Sequence, residues 1–172
     1  MEILDRNFFN RPTEAVAREL LGKYLVRRIG DRVIAAMITE TEAYDGFKDK
    51  GSHAYRGKTK RNQLMFGPAG NWYVYFTYGR HWMLNIVTRE KDYPGAVLIR
   101  GVAGVSGPGR VAKFFQIDGG ISGLRASPAL RLWLENRGMR VPPGRIKRSA
   151  RIGIDYAGPY WSKRKWRFLL LK

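Results

Sequence analysis

Ile38-Thr39-Glu40-Thr41-Glu42-Ala43-Tyr44 and, further along, Tyr73-Val74-Tyr75-Phe76-Thr77-Tyr78-Gly79 carry the architecture and the chemistry of this chain. Side chains two apart on a strand share a face. A strand through the first stretch therefore points Glu42 and Tyr44 the same way. The second stretch alternates aromatics and runs into Tyr78-Gly79, a turn signal. An acid beside a cluster of flat rings is what a pocket for a flat, weakly polar ring compound needs.

Working outward, Tyr24 to Ile29 and Val33 to Tyr44 read as strands joined at Gly30-Asp31, a hairpin signal. On the second strand Ile34, Ala36, Ile38, Glu40, Glu42 and Tyr44 are expected on one face. That face begins apolar and ends acidic, so the strand leaves the core and enters a site. Taken alone, Glu40 and Glu42 more often mark a solvated strand end. Trp72 to Tyr78 and His81 to Val87 form a second hairpin, with Tyr73 and Tyr75 facing one way and Trp72, Val74 and Phe76 the other. Such alternation also suits an ordinary sheet core. Asn85 is harder to explain that way, because an amide inside so apolar a strand must find partners or cost about 1–3 kcal/mol. Tyr78, beside Arg80 at the turn, is expected to be an exposed aromatic on a basic surface.

The remaining segments complete the outline. Thr13 to Leu21 reads as a helix, with Val16, Ala17, Leu20 and Leu21 on one stripe, Pro12 before it and Gly22 after it. Asp45 to Gln63 is a polar, glycine-bearing loop, functional or disordered, that contains His53 and Tyr55. Ala96 to Arg100 is a short buried strand. Ser106-Gly107-Pro108-Gly109-Arg110 opens a helix with Val111, Phe114 and Phe115 inward. Its start is either a seat for a phosphate or a plain helix start. Ala129 to Glu135 is expected as a strand, Met139 to Ser149 as a basic loop, and Ile152 to Tyr156 and Trp166 to Leu171 as closing strands. The pattern predicts one α+β domain over residues 1–172, a curved, largely antiparallel sheet with a few packed helices.

Lys and Arg total 32 against 14 Asp and Glu, a net charge of +18. Such a balance favours polyanions, nucleic acid before anionic membrane. No apolar run approaches the roughly 20 residues of a membrane span. The acidic Glu2 and Asp5 do not suit a signal peptide, and a cytoplasmic protein is expected. With no cysteine there is no thiolate metal site. His53 and His81 lack metal-ligand spacing, so no metal and no cofactor are expected. Phosphate-loop, dinucleotide and nucleophile-elbow motifs are absent from the sequence. The fit that remains is an enzyme that extrudes a DNA base. It needs a basic face for phosphates, aromatic walls for the base, a wedge to fill the gap, and a carboxylate to activate water.

Glu40-Thr41-Glu42-Ala43-Tyr44, Ser52-His53-Ala54-Tyr55-Arg56-Gly57, Arg61-Asn62, Met65-Phe66-Gly67 and Tyr73 through Asn85 resemble the alkyladenine (3-methyladenine) DNA glycosylase family. Ala96-Val97-Leu98-Ile99-Arg100, Ser106 to Arg110, Arg151-Ile152-Gly153-Ile154 and Trp166-Arg167-Phe168 continue the match in the same order. The resemblance implies that Glu42 is the general base for an attacking water and that Arg100 helps hold both. It implies that Tyr44, His53 and Tyr75 stack on or edge the flipped base, that Tyr78 is the intercalating wedge, and that Asn85 crowds the amino group of guanine. Arg56, Lys58, Arg61, Arg80, Gly107 and Arg110 are candidate contacts to the DNA backbone. The family is metal-free and monofunctional, leaving an abasic site.

The expected partner is double-stranded DNA carrying damaged purines: alkylated adenine, hypoxanthine and ethenoadenine. The chain is expected to act as a monomer, without a membrane, nucleoid-associated in a prokaryote or nuclear in a eukaryote. Two departures stand out. Only Gly101 to Val105 separate Arg100 from Ser106, where the family carries a longer segment. Arg80 stands where a methionine is more usual, which adds a phosphate contact. The competing readings are a non-catalytic basic nucleic-acid-binding module and an RNA-modifying enzyme. The glycosylase reading requires Glu42 to lie beside Tyr44, His53 and Tyr75 and not to be sealed from solvent.

Overall fold

The computed structural model describes residues 1–171. In chain order it comprises β1 (Glu2–Ile3), α1 (Arg6–Phe9), α2 (Thr13–Glu19), β2 (Tyr24–Ile29) and β3 (Arg32–Asp45). These are followed by β4 (Trp72–Thr77), β5 (His81–Val87), β6 (Gly95–Val102), β7 (Val105–Ser106) and α3 (Pro108–Phe114). The chain closes with β8 (Leu132–Asn136), β9 (Ile146–Ser149), α4 (Gly158–Ser162) and β10 (Arg167–Leu170). The architecture is α+β, as the sequence predicts: an open antiparallel sheet in the order β1-β8-β2-β3-β6-β5-β4. Strand β10 joins β3 and β9, and β7 joins β6.

Strand β3 is the spine. Its first half pairs with β2 from Arg32 to Met37. Its second half pairs with β6 on one edge and with β10 on the other, where Arg167 lies opposite Glu42. The ladder to β6 is irregular around Glu40, which sits opposite Gly101. A Cβ on Gly101 would come 3.0 Å from the Glu40 Cβ, so the two backbones approach here as only glycine allows. The irregularity changes which alternate residues enter the main core. Ala36 and Ile38 are packed there before it and Ala43 after it; on β6, Val97 and Ile99 give way to Val102. The continuous face expected from Ile34 to Tyr44 is therefore broken, since a bulge re-aims a side chain at the cost of strict alternation. Glu42 and Tyr44 leave the core face because Thr41 and Ala43 occupy it. The Thr41 hydroxyl donates to the Ala17 carbonyl at 2.7 Å and ties β3 to α2.

Three further expectations are corrected. Phe114 is exposed, and Val111, Ala112 and Phe115 supply the inward face of α3. Ile146 to Ser149 is strand β9 rather than loop, drawn into register by β10. Ile152 to Tyr156 is no strand: it bends through Gly153 at φ +76° into a 3-10 turn at Asp155–Ala157. The segment after Arg100 is short because β6 turns at Ala103-Gly104 directly into β7.

The loop from Asp45 to Gln63 is folded. Buried Asn62 accepts from the Thr59 N–H at 2.7 Å and donates to the His53 and Gly57 carbonyls, at 2.8 Å each. Replacing Asn62 with Ala strands three backbone groups, and each buried polar group left unpaired costs about 1–3 kcal/mol. We expect Asn62→Ala to lower unfolding stability in chemical denaturation and to speed proteolytic cleavage between residues 53 and 62. Unchanged cleavage would contradict this anchoring.

Candidate active site

Register builds the floor of the site. Glu42 on β3 lies opposite Leu98 on β6, Leu98 opposite Asn85 on β5, and Asn85 opposite Tyr73 on β4. Four residues thus form one row across four strands, on one face. Strand spacing puts Glu42 and Asn85 about 10 Å apart. Above this row opens a cavity of about 550 Å³. Glu42, Tyr44, His53, Tyr75, Asn85 and Arg100 all line it, with Tyr78, Gly107 and Arg110 also on its walls.

Glu42 has no accessible surface (0%). Its Oε2 accepts from the Tyr44 hydroxyl at 2.8 Å and its Oε1 from the Ile152 N–H at 2.9 Å. Arg100 Nε stands 3.6 Å from Oε1 but donates first to Glu40, at 2.8 Å. Glu40 also accepts from Arg167 Nε at 2.5 Å, so it bridges two arginines and balances part of their charge rather than sitting in solvent. Burial pushes the Glu42 pKa above the ordinary carboxylate value, opposed by Arg100, the Ile152 N–H, Tyr44 and Arg151. The expectation of a carboxylate open to solvent is not met, because Glu42 lies beside the rings but has no accessible surface. Glu42 borders the cavity, yet the groups around it cover it. Each carboxylate oxygen keeps acceptor capacity beyond its one protein donor.

The rings are held from behind. His53 Nδ1 lies 3.1 Å from the Tyr73 hydroxyl, and its ring meets Tyr75 edge-on at 4.6 Å. Partial burial, with Arg61 nearby, lowers the His53 pKa and favours the neutral imidazole. Burial raises the Tyr73 pKa to about 12 and raises those of Tyr44 and Tyr75 as well, so all three hydroxyls stay protonated at neutral pH. Asn85 is buried, and its Nδ2 donates to the Tyr73 and Met83 carbonyls at 3.1 and 3.2 Å. Those two bonds fix the plane of its amide.

Tyr78 stands 82% exposed at the tip of the β4–β5 turn. It has φ +52° and Gly79 has φ +61°, and the Arg80 N–H closes the turn on the Thr77 carbonyl at 3.1 Å. Successive positive φ values belong to a type I′ turn, which suits glycine or asparagine and not a bulky aromatic. Arg56, Lys58, Arg61, Arg80 and Arg110 are all exposed. Arg61 reaches over the Tyr75 ring at 5.9 Å and Lys58 over Phe66 at 5.6 Å. Gly107 and Arg110 reach the cavity from the start of α3, a single short helix.

Sequence reasoning missed several contributors. Ile152 donates to Glu42 through its backbone, and Tyr156, exposed on the same segment, lines the cavity mouth. Behind them Arg151 grips Asp49, both fully buried, with contacts of 2.6 and 2.8 Å. A pair so distant in sequence leaves no local signal.

The family model described as methylpurine-DNA glycosylase matches residues 7–106 and 103–172. The match divides where the chain turns from β6 into β7. The chain is 40% identical to a provisionally named 3-methyladenine DNA glycosylase of Methanocella arvoryzae, over 98% of this chain and 92% of the relative. A similarly named protein of Anaeromyxobacter sp. is 42% identical, over 97% and 88%. One of Borreliella afzelii is 40% identical, over 97% and 95%.

An aromatic kept in the left-handed region at an exposed tip stores strain of about 1–3 kcal/mol. We expect Tyr78→Gly to melt no lower than the wild type, and higher if Gly at this φ relieves that strain. A clear loss of stability in thermal unfolding would mean that Tyr78 serves the fold.

Proposed function

The chain belongs to the methylpurine-DNA glycosylase family and is a monofunctional DNA N-glycosylase of DNA repair, and from that premise we propose how its own residues act. A damaged purine swings out of duplex DNA into the cavity above Glu42. Tyr78 enters the gap in the duplex and offsets part of the unstacking cost, a few kcal/mol. Tyr44, His53 and Tyr75 wall the base. Alkylation at N3 or N7 makes the purine cationic, which strengthens stacking on electron-rich rings and weakens its bond to the sugar.

A water then attacks C1′ and yields a proton to the Glu42 carboxylate. The C1′–N9 bond breaks with its electrons passing to the base, which leaves an abasic site. Arg100, balanced by Glu40, stabilises the ionised carboxylate. Asn85 stands where the exocyclic amino group of guanine would fall and so rejects the normal base. Hypoxanthine and ethenoadenine, neutral and poorer leaving groups, are further substrates that demand more of the site. Arg56, Lys58, Arg61, Arg80, Gly107 and Arg110 meet the phosphates of the bound duplex. We place the protein on chromosomal DNA as a monomer, in the cytoplasmic nucleoid of a prokaryote or the nucleus of a eukaryote.

The observation that carries this reading is the single row joining a covered carboxylate, an amide and a ring beneath one cavity, with an exposed tyrosine at its mouth. A non-catalytic binding module has no use for a carboxylate whose burial raises its pKa. Incubation with methylated duplex DNA followed by alkali separates the two, because only an enzyme yields strand breaks.

We expect Glu42→Gln to lose about 10²–10⁴-fold in single-turnover excision while still binding the duplex. Near-normal excision would remove Glu42 from this role. The same variant should gain stability at neutral pH. A carboxylate whose folded pKa is raised contributes most below its unfolded value and loses that contribution as pH rises through the folded pKa. The gain over wild type should therefore vanish on acidification. Asn85→Ala should release guanine from undamaged DNA, counted as new abasic sites; an unchanged count would refute the amide as a steric gate.

A further inference from the structure

Arg151 is a fully buried cation in the segment that precedes the bend at Gly153. Three separate parts of the chain converge on it. Asp49, in the loop that leads to His53, accepts both of its terminal nitrogens at 2.6 and 2.8 Å. Asp49 in turn accepts from the Asp45 and Gly51 N–H groups, which fixes it in its own loop. Arg151 Nη1 also donates to the Ala43 carbonyl at 2.9 Å, between Glu42 and Tyr44 on β3. Its guanidinium carbon lies 4.8 Å from the Tyr44 ring centroid and 5.2 Å from that of Trp166. The next residue, Ile152, donates its N–H to Glu42. Gly51 packs so close that a Cβ there would come 2.9 Å from Arg151 Nη2.

A guanidinium held in this way fixes more than a fold. It lies against the Tyr44 ring and directly precedes Ile152, so it adjoins both groups that donate to Glu42. It also places a positive charge behind a fully buried carboxylate. We propose that Arg151, clamped by Asp49, is a positioning residue for excision: it aligns Tyr44 and the Ile152 N–H on Glu42 and sets its positive charge behind that carboxylate. This rests on Glu42 as the general base. Asp49 sets how much of the Arg151 charge Glu42 feels.

The charged and titratable groups around Glu42 are Glu40 and Tyr44 on β3, Arg100 on β6 and Tyr75 on β4. Arg167 on β10, opposite Glu42 in register, is taken up by Glu40. Arg151 is thus the cation that acts on Glu42 from the side of the bend. Removing its charge and removing that of Asp49 should have opposite effects on Glu42, whereas loss of packing alone has one sign.

The test is the acid limb of single-turnover release of 3-methyladenine from methylated duplex DNA, measured for Arg151→Gln, Arg151→Lys, Asp49→Asn and Glu42→Gln. We expect the limb of Arg151→Gln to move to higher pH and that of Asp49→Asn to lower pH, each by about half a unit. Arg151→Lys keeps the charge but loses the two-pronged grip and the stacking, so its limb stays and its plateau falls by about tenfold. Limbs that move the same way in Arg151→Gln and Asp49→Asn, or that do not move, overturn the proposal. So does an Arg151→Lys limb displaced like that of a charge-removing variant. If thermal melting shows that Arg151→Gln does not fold, Asp49→Asn and Arg151→Lys decide it. Wild-type release by Glu42→Gln would instead overturn the assignment of the base, and the positioning role with it.

Discussion

A carboxylate taken out of water must be surrounded by donors, or it takes up a proton. Glu42 meets this condition with two donors, a neighbouring phenol and a backbone N–H from the far C-terminal third, and with a nearby cation, an arginine on the adjacent strand. Desolvation still dominates and leaves the group more basic than an exposed glutamate. For the proton acceptor proposed here, that basicity helps, provided the charged form survives near neutral pH. The same burial costs stability, a trade commonly found at functional sites.

The sheet is organised to deliver that carboxylate. Strand β3 is long enough to belong to the core at one end and to the cavity at the other, and the exchange happens at Glu40 opposite Gly101. Beyond this point Thr41 and Ala43 take the core face, and Glu42 and Tyr44 are left to face the site. Two neighbouring carboxylates on one strand have separate duties. Glu40 is saturated by Arg100 and Arg167, which brings Arg100 within 3.6 Å of Glu42 with its charge already partly balanced. A strong bond between Arg100 and Glu42 would hold the latter ionised but make it a weaker base.

Much of this was legible in the sequence where the signal is local. Gly30-Asp31 and Tyr78-Gly79 mark the two hairpin turns, and the second turn fixes Tyr73 opposite Asn85, half of the cavity floor. Alternation was enough to pair Glu42 with Tyr44, and the exposure of Tyr78 followed from its place at a turn. What could not be read depends on distant partners. Strand β9 is basic and half exposed, and it becomes a strand only because β10 lies beside it. Ile152 to Tyr156 looks like a strand, yet it bends at Gly153, and Ile152 spends its N–H on Glu42. Asp49 and Arg151 are unremarkable in their own neighbourhoods and are joined only by the fold. The break at Glu40 preserves local alternation in the letters while changing which letters face inward. Phe114 and Phe115 differ only in register on a short helix, where one of two adjacent rings must face solvent.

The most direct check is a carbon NMR titration of the Glu42 carboxyl, assigned by the signal missing from the glutamine variant, set against the pH dependence of excision in the wild-type protein. The carboxyl should titrate above the range of an exposed glutamate, with a midpoint that coincides with the acid limb of excision by the free enzyme. A carboxyl that titrates like an exposed glutamate, or a limb that ignores its midpoint, would contradict the role of this buried acid.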